Sequence, residues 1–206
     1  MSGCAAADGE ALDDAEQPAQ QSEAAVVPEA ESEAIPRSIN IDIVGAVIGP
    51  MKSDSNPWDG FGSVPAGVGE ALGVALGAPT PYVAVASFLQ TAAANSLSKP
   101  DPFGTATLND SNAITLANAD DNTENTFTPN WPGRPGWRNV AYSTDLRIRV
   151  TLQDEDIWYH DDIGVIEINS RDIDAAWASQ HVYPVNVADQ SSRQLLFVML
   201  SVTPGS

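Results

Sequence analysis

A single cysteine, Cys4, occurs in the 206 residues, so no internal disulfide can form. Histidine is almost as scarce. His160 and His181 lack the close spacing of a histidine metal site, and neither has a neighbouring Ser or Cys that completes a catalytic triad. No run approaches the ~20 uninterrupted apolar residues of a membrane-spanning helix. Basic residues are few, nine Lys and Arg against 28 Asp and Glu, for a formal charge of −19. That shortage argues against nucleic acid as a partner, because phosphate binding needs a basic face. It disfavours unaided binding to anionic lipid and suits cations. Glycines 60, 62, 67, 69 and 73 have no lysine among them, so they do not form a phosphate-binding loop of the usual kind.

The acidic residues are unevenly placed. Residues 1–34 hold nine of them and no Lys or Arg, within Ala, Gln, Ser and Pro. Such a stretch has too little apolar surface to offset its conformational entropy, and residues 1–36 are expected to be a disordered acidic tether. Residues 37–206 are expected to form one domain, with nineteen acidic against nine basic side chains.

Strand patterns dominate that domain. From Ser38 to Ile48, Ile39, Ile41 and Ile43 alternate with Asn40 and Asp42, the period-two signature of a half-buried strand. A polar loop follows from Met51 to Gly62. Val64 to Leu76 is small and apolar and predicts a short helix within a long first loop, weakened by its glycines. Pro81 to Phe88 reads as a second strand, with Tyr82, Ala84, Ala86 and Phe88 on one face. Residues 89–125 are expected to carry short strands near Thr105–Leu108 and Ala113–Leu116. In Asp145–Leu152, residues Leu146, Ile148, Val150 and Leu152 point inward and Arg147, Arg149 and Thr151 outward. Ile163–Ile168, Tyr183–Val187 and Gln194–Val202 complete the strands. A helix is expected over Arg171–Gln180 with Ser170 as its N-cap. No βαβ alternation is visible, so the pattern predicts an all-β antiparallel sandwich.

The sharpest chemical signal lies between two of these strands. Asp154, Glu155, Asp156, Asp161 and Asp162 fall within nine residues. Carboxylates so close repel one another unless a cation or water relieves them, and hard oxygen donors suit calcium. Without a metal, the same cluster reads as a solvated acidic hairpin tip. The loop also carries Ile157, Trp158 and Tyr159, and a second acidic loop holds Asp54 and Asp59 beside Trp58 and Phe61. These aromatics either crown the acidic site or pack the loops onto the sandwich end. Asn130 to Trp137 contains Trp131, Trp137 and three Pro/Gly turns. It reads as a ligand platform or as a rigid connection with buried rings.

The segment Asp154-x-Asp156, then Asp161 three before Gly164, resembles the third calcium-binding loop of the C2 domain family, an eight-stranded calcium- and phospholipid-binding sandwich. Ile43 to Pro50 is similar to that family's first strand, Pro81-Tyr82-Val83 to a motif after its first loop, and Thr128 to Trp131 to a reordered Asn-Pro-x-Trp turn. The match spans about residues 38–203. The family usually has an Asp where this chain has Thr80, and the first loop here is longer by roughly 20 residues. The resemblance implies an antiparallel eight-stranded C2-like sandwich with a long first loop. It implies calcium held by Asp54, Asp59, Asp154, Asp156, Asp161 and Asp162, with Trp58, Phe61, Trp158 and Tyr159 contacting a phospholipid membrane or protein partner. Ser2-Gly3-Cys4 resembles the end of a bacterial lipobox, which implies lipidation of Cys4 and a place in the cell envelope. The expected role is a non-enzymatic binding module. The alternative is a metal-independent protein- or glycan-binding sandwich.

Overall fold

The computed structural model describes residues 35–59, 63–119, 125–156 and 159–206. The acidic segment 1–34 with Cys4, and also Phe61 and Trp158, lie outside the described residues.

Among the described residues, eight strands form two antiparallel four-stranded sheets. They are β1 (Ser38–Ile48), β2 (Pro102–Leu108), β3 (Asn112–Ala117), β4 (Gly136–Ala141), β5 (Arg147–Asp154), β6 (Asp161–Asn169), β7 (Tyr183–Asn186) and β8 (Leu195–Pro204). One sheet has the order β4-β1-β8-β7 and the other β3-β2-β5-β6. Helices α1 (Val68–Leu76), α2 (Pro81–Leu89) and α3 (Ala92–Asn95) fill the long connection from β1 to β2, and α4 (Ser170–Ser179) joins β6 to β7. The inward rows meet in one core that includes Ile39, Ile41 and Ile43 of β1, Ile148, Val150 and Leu152 of β5, and Val198 and Leu200 of β8.

The alternating strands stand where period-two patterning puts them. In β5 the outward Arg147 and Arg149 are exposed and the residues between them are buried. Only the first half of β1 alternates, because residues 45–48 are buried on both faces. The segment before β4 crosses that half, with Ala46 N–H donating to Pro129 O (3.0 Å) and Ile48 N–H to Phe127 O (2.7 Å). Gly45 makes the crossing possible, since a Cβ there would lie 2.4 Å from Pro129 O.

Two elements differ from expectation. Pro81–Leu89 is a helix, not the second strand. A short run that is apolar on both faces fits a buried helix as well as a strand, and Pro at the first helical turn with alanines after it favours the helix. Val85 and Leu89, four apart, are its buried residues, and Tyr82 packs edge-on to Phe197 at 5.6 Å. The Pro-Tyr-Val likeness therefore does not extend to structure, and Thr80 is the exposed residue at the start of a helix, with no side-chain capping hydrogen bond. The eighth strand is β4, which period two does not reveal. Its Trp137 and Val140 both pair with the inward row of β1, opposite Ile41 and Ile39, across a register shift. Asn139, at φ 52°, lies between them, and one extra residue in a bulge brings positions three apart onto one face. The capping residue of α4 is Asn169 rather than Ser170, in a reciprocal box with Asp172. Trp131 and Trp137 are both buried, which is the rigid-connection reading of their segment.

Candidate metal centre

Asp154 continues the inward row of β5. Ile148, Val150 and Leu152 face the core, and two residues further the same phase buries a carboxylate, with Asp154 0% exposed. Its Oδ1 accepts from the Asp101 N–H at 2.6 Å, while its Oδ2 is buried with no partner among the described residues. Across the hairpin, Asp154 pairs directly with Asp161 in the β5–β6 register. A register shift after Leu152 sets this pairing, so that Leu152 faces Gly164 and Gln153 faces Asp162. Like charges directly opposite in a ladder repel, and this pair stands at the mouth of the loop.

Asp154, Asp156 and Asp161 each offer one oxygen, and the three lie within 4.8 Å of one another. Two oxygens on one calcium ion are separated by at most about 5 Å, so this spacing suits a shared ion. Asp59, from the first loop, comes to the same end of the sandwich. Its carboxyl is half-buried and held above the usual carboxylate range by desolvation, then by repulsion from Asp156 and Asp101. Desolvation also raises the Asp156 carboxyl, followed by repulsion from Asp161. Asp154 is pushed furthest, to about 7, by burial first, with Asp59 and Asp156 adding repulsion; the Asp101 hydrogen bond and Lys52 act against this.

Asp54 and Asp162 are not part of the cluster. Asp54 is exposed and turns on itself, accepting from the Asn56 backbone (3.0 Å) and side chain (2.7 Å), which lowers its pKa. Asp162 accepts from Gln153 Nε2 at 3.1 Å and is exposed. Adjacent strand residues face opposite ways, so only one of Asp161 and Asp162 can point to Asp154, and the register selects Asp161.

Sequence reasoning missed two participants. Asp101 anchors Asp154 through its backbone. Lys52 reaches the cluster from the first loop, its Nζ forming an ion pair and hydrogen bond with Asp161 Oδ2. Burial works to lower the Lys52 pKa, but the hydrogen bond and attraction to Asp161, with further attraction to Asp156 and Asp154, outweigh it and raise it. The cluster thus holds an internal cation. The buried phase of Asp154 was readable from the inward row of β5. Nothing local marks Lys52, which is 109 residues from its partner.

The aromatics divide. Trp58 does not crown the site. It is 2% exposed, donates from Nε1 to Gly49 O (2.8 Å), and its ring lies 5.9 Å from Lys52 Nζ. It anchors the first loop, and Trp58→Ala is expected to cost roughly 3–5 kcal/mol. A urea midpoint indistinguishable from wild type would contradict that role. Tyr159, by contrast, is 85% exposed at the β5–β6 tip.

No protein-family model matches the chain, and no curated protein matches it. Solved structures do. A structure of the SMP domain and two successive C2 domains of extended synaptotagmin 2 aligns at 13% identity and TM-score 0.42, over 82% of this chain and 28% of that one. The same pair of C2 domains of extended synaptotagmin 2, calcium bound, aligns at 13% identity and TM-score 0.43, over 82% and 47%. A single C2 domain of plant extended synaptotagmin 1 aligns at 13% and TM-score 0.40, over 84% and 99%. This chain spans less than half of the first two structures and nearly all of the third, and these three structures contain C2 domains.

Proposed function

We propose that this sandwich is a non-catalytic calcium-binding module. Asp154, Asp156 and Asp161 hold the ion, and Asp59 strengthens the negative field behind them. The observation that carries this reading is the buried Oδ2 of Asp154, without a partner among the described residues, within a carboxylate cluster. A desolvated carboxylate oxygen without a donor is costly, and a divalent cation is the ligand that relieves it together with its acidic neighbours. Calcium would draw the two loops together and lower the negative charge around the exposed Tyr159. That would present the tip to a phospholipid membrane or a protein partner, in keeping with the C2-like loop sequence. A lipid anchor at Cys4 in a bacterial envelope belongs to the same proposal.

The test is a thermal-shift and calorimetric titration with calcium up to about 10 mM, beyond the weak end of extracellular calcium sites. A site filled to about a hundred times its dissociation constant stabilises by about 2.7 kcal/mol, so the melting temperature should rise and fall back with chelator. No shift at millimolar calcium, with Asp156→Asn behaving as wild type, removes the metal. One observation favours the metal-independent alternative: Lys52 already neutralises part of the cluster. In that case, partner binding is unchanged by chelator.

A further inference from the structure

The glycines of the first loop have no lysine beside them in sequence, yet tertiary folding brings Lys52 and Arg193 into one cleft with Gly69. A cleft of about 310 Å³ lies between the first loop, α1 and the turn before β8, lined among others by Lys52, Ser53, Ser55, Gly69, Ser192 and Arg193. In a chain with 28 acidic residues, no carboxylate lines it among the described residues. We infer that this cleft is a binding site for a phosphate-type oxyanion, separate from the acidic cluster and gated by Lys52.

The donors are in place and unspent. The hydroxyls of Ser53, Ser55 and Ser192 and the Arg193 guanidinium have no partner among the described residues. Gly69 belongs to the first turn of α1, which Gly67 leaves without a side-chain cap; the Val68 N–H donates to Pro65 O (3.3 Å) and the Ala71 N–H to Gly67 O (2.9 Å). The guanidinium lies beside α1: a Cβ on Gly73 would sit 3.6 Å from Arg193 Nη1, an ordinary van der Waals contact. A planar guanidinium with clustered hydroxyls matches the oxygens of a phosphate group.

The walls are held rather than loose. Ser53 N–H donates to Gln194 Oε1 (2.9 Å), Gly49 N–H to Gln194 O (2.8 Å) and Arg193 N–H to Ala188 O (2.8 Å). Ser55, Ser192 and Arg193 all adopt left-handed backbone conformations, at φ 68°, 52° and 67°. Non-glycine residues in that region are strained, and such strain gathers at ligand clamps. Lys52 is shared, since it lines the cleft while its ammonium is drawn to Asp161. Releasing that pair would hand the ammonium to the anion, and Asp161→Asn does so without any metal. The inference is therefore independent of calcium binding.

The experiment is a titration of the ¹⁵N-labelled full chain with inorganic phosphate, in chelator and at constant ionic strength. Saturable shifts are expected at the Ser53, Ser55, Ser192 and Arg193 amides. Asp161→Asn should tighten binding at least threefold, and Arg193→Gln should weaken it tenfold or more while spectral dispersion is kept. Shifts that are absent, lie elsewhere or are unchanged in Arg193→Gln overturn the site, and an unchanged affinity in Asp161→Asn overturns the gating. Co-sedimentation with phosphatidylcholine vesicles, with and without phosphatidic acid, separates the sources. Arg193-dependent capture by the phosphatidic acid vesicles supports a lipid headgroup, and phosphate shifts without such capture support a free phosphate.

Discussion

Asp154→Asn should melt higher than the wild-type protein at pH 7.5 without metal, and should lose its response to calcium. The carboxyl has an ordinary value of 3.8 and is raised to about 7 in the folded protein by burial. Between those values the unfolded chain has already released its proton while the folded one still holds it. Stability therefore falls as pH rises from about 4 to 7, and the penalty is complete above the folded pKa. A shift of this size corresponds to roughly 4 kcal/mol. For a domain of this length that is on the order of 8–16 °C in melting temperature. Asparagine keeps an oxygen for the Asp101 N–H and offers its amide to the neighbouring carboxylates, so it removes the penalty without opening a cavity. Melting curves from pH 4 to 8 should show wild type losing stability with pH while the variant loses much less. A variant that melts below wild type at pH 7.5, or still shifts with calcium, contradicts this account. Calcium binding near pH 7 should also release protons, because the bound form needs the carboxylate.

Lys52→Met should tighten calcium binding at least tenfold while destabilising the metal-free protein by about 1–2 kcal/mol. The ammonium sits against Asp161, with the side chains 20% and 43% exposed, so the pair is partly shielded from solvent. Removing one partner of such a pair leaves Asp154, Asp156 and Asp161 uncompensated, which accounts for the lost stability. The same substitution removes the cation that an incoming ion must displace, and restores a full negative charge to the site. Methionine retains the apolar length beside Trp58. Calorimetry on the variant separates the two readings of the acidic cluster. Tighter calcium means that lysine is a competitor for a metal site. Lower stability with no calcium heat means that lysine is the cluster's permanent counter-ion.

The sequence by itself determined the strands whose two faces differ in chemistry. In β1 and β5 each side chain's direction follows from its own position in a two-residue repeat, so Ile39, Ile41, Ile43, Ile148, Val150 and Leu152 were legible as core. The carboxylates at the β5–β6 turn are neighbours in sequence, and the same local rule, continued by two residues, buries Asp154. Tertiary structure alone decided the rest. Pro81–Leu89 carries apolar groups on both faces and took helix because it packs as one. Residues 136–141 became a strand only through a bulge that breaks the repeat. The β5–β6 register chose Asp161 over Asp162. The partners Lys52 and Asp161, like the union of Lys52 with Arg193 beside α1, lie more than a hundred residues apart. Period and propensity act over a few residues, whereas charge and hydrogen bonding act through space, and only the folded chain says which distant groups share it.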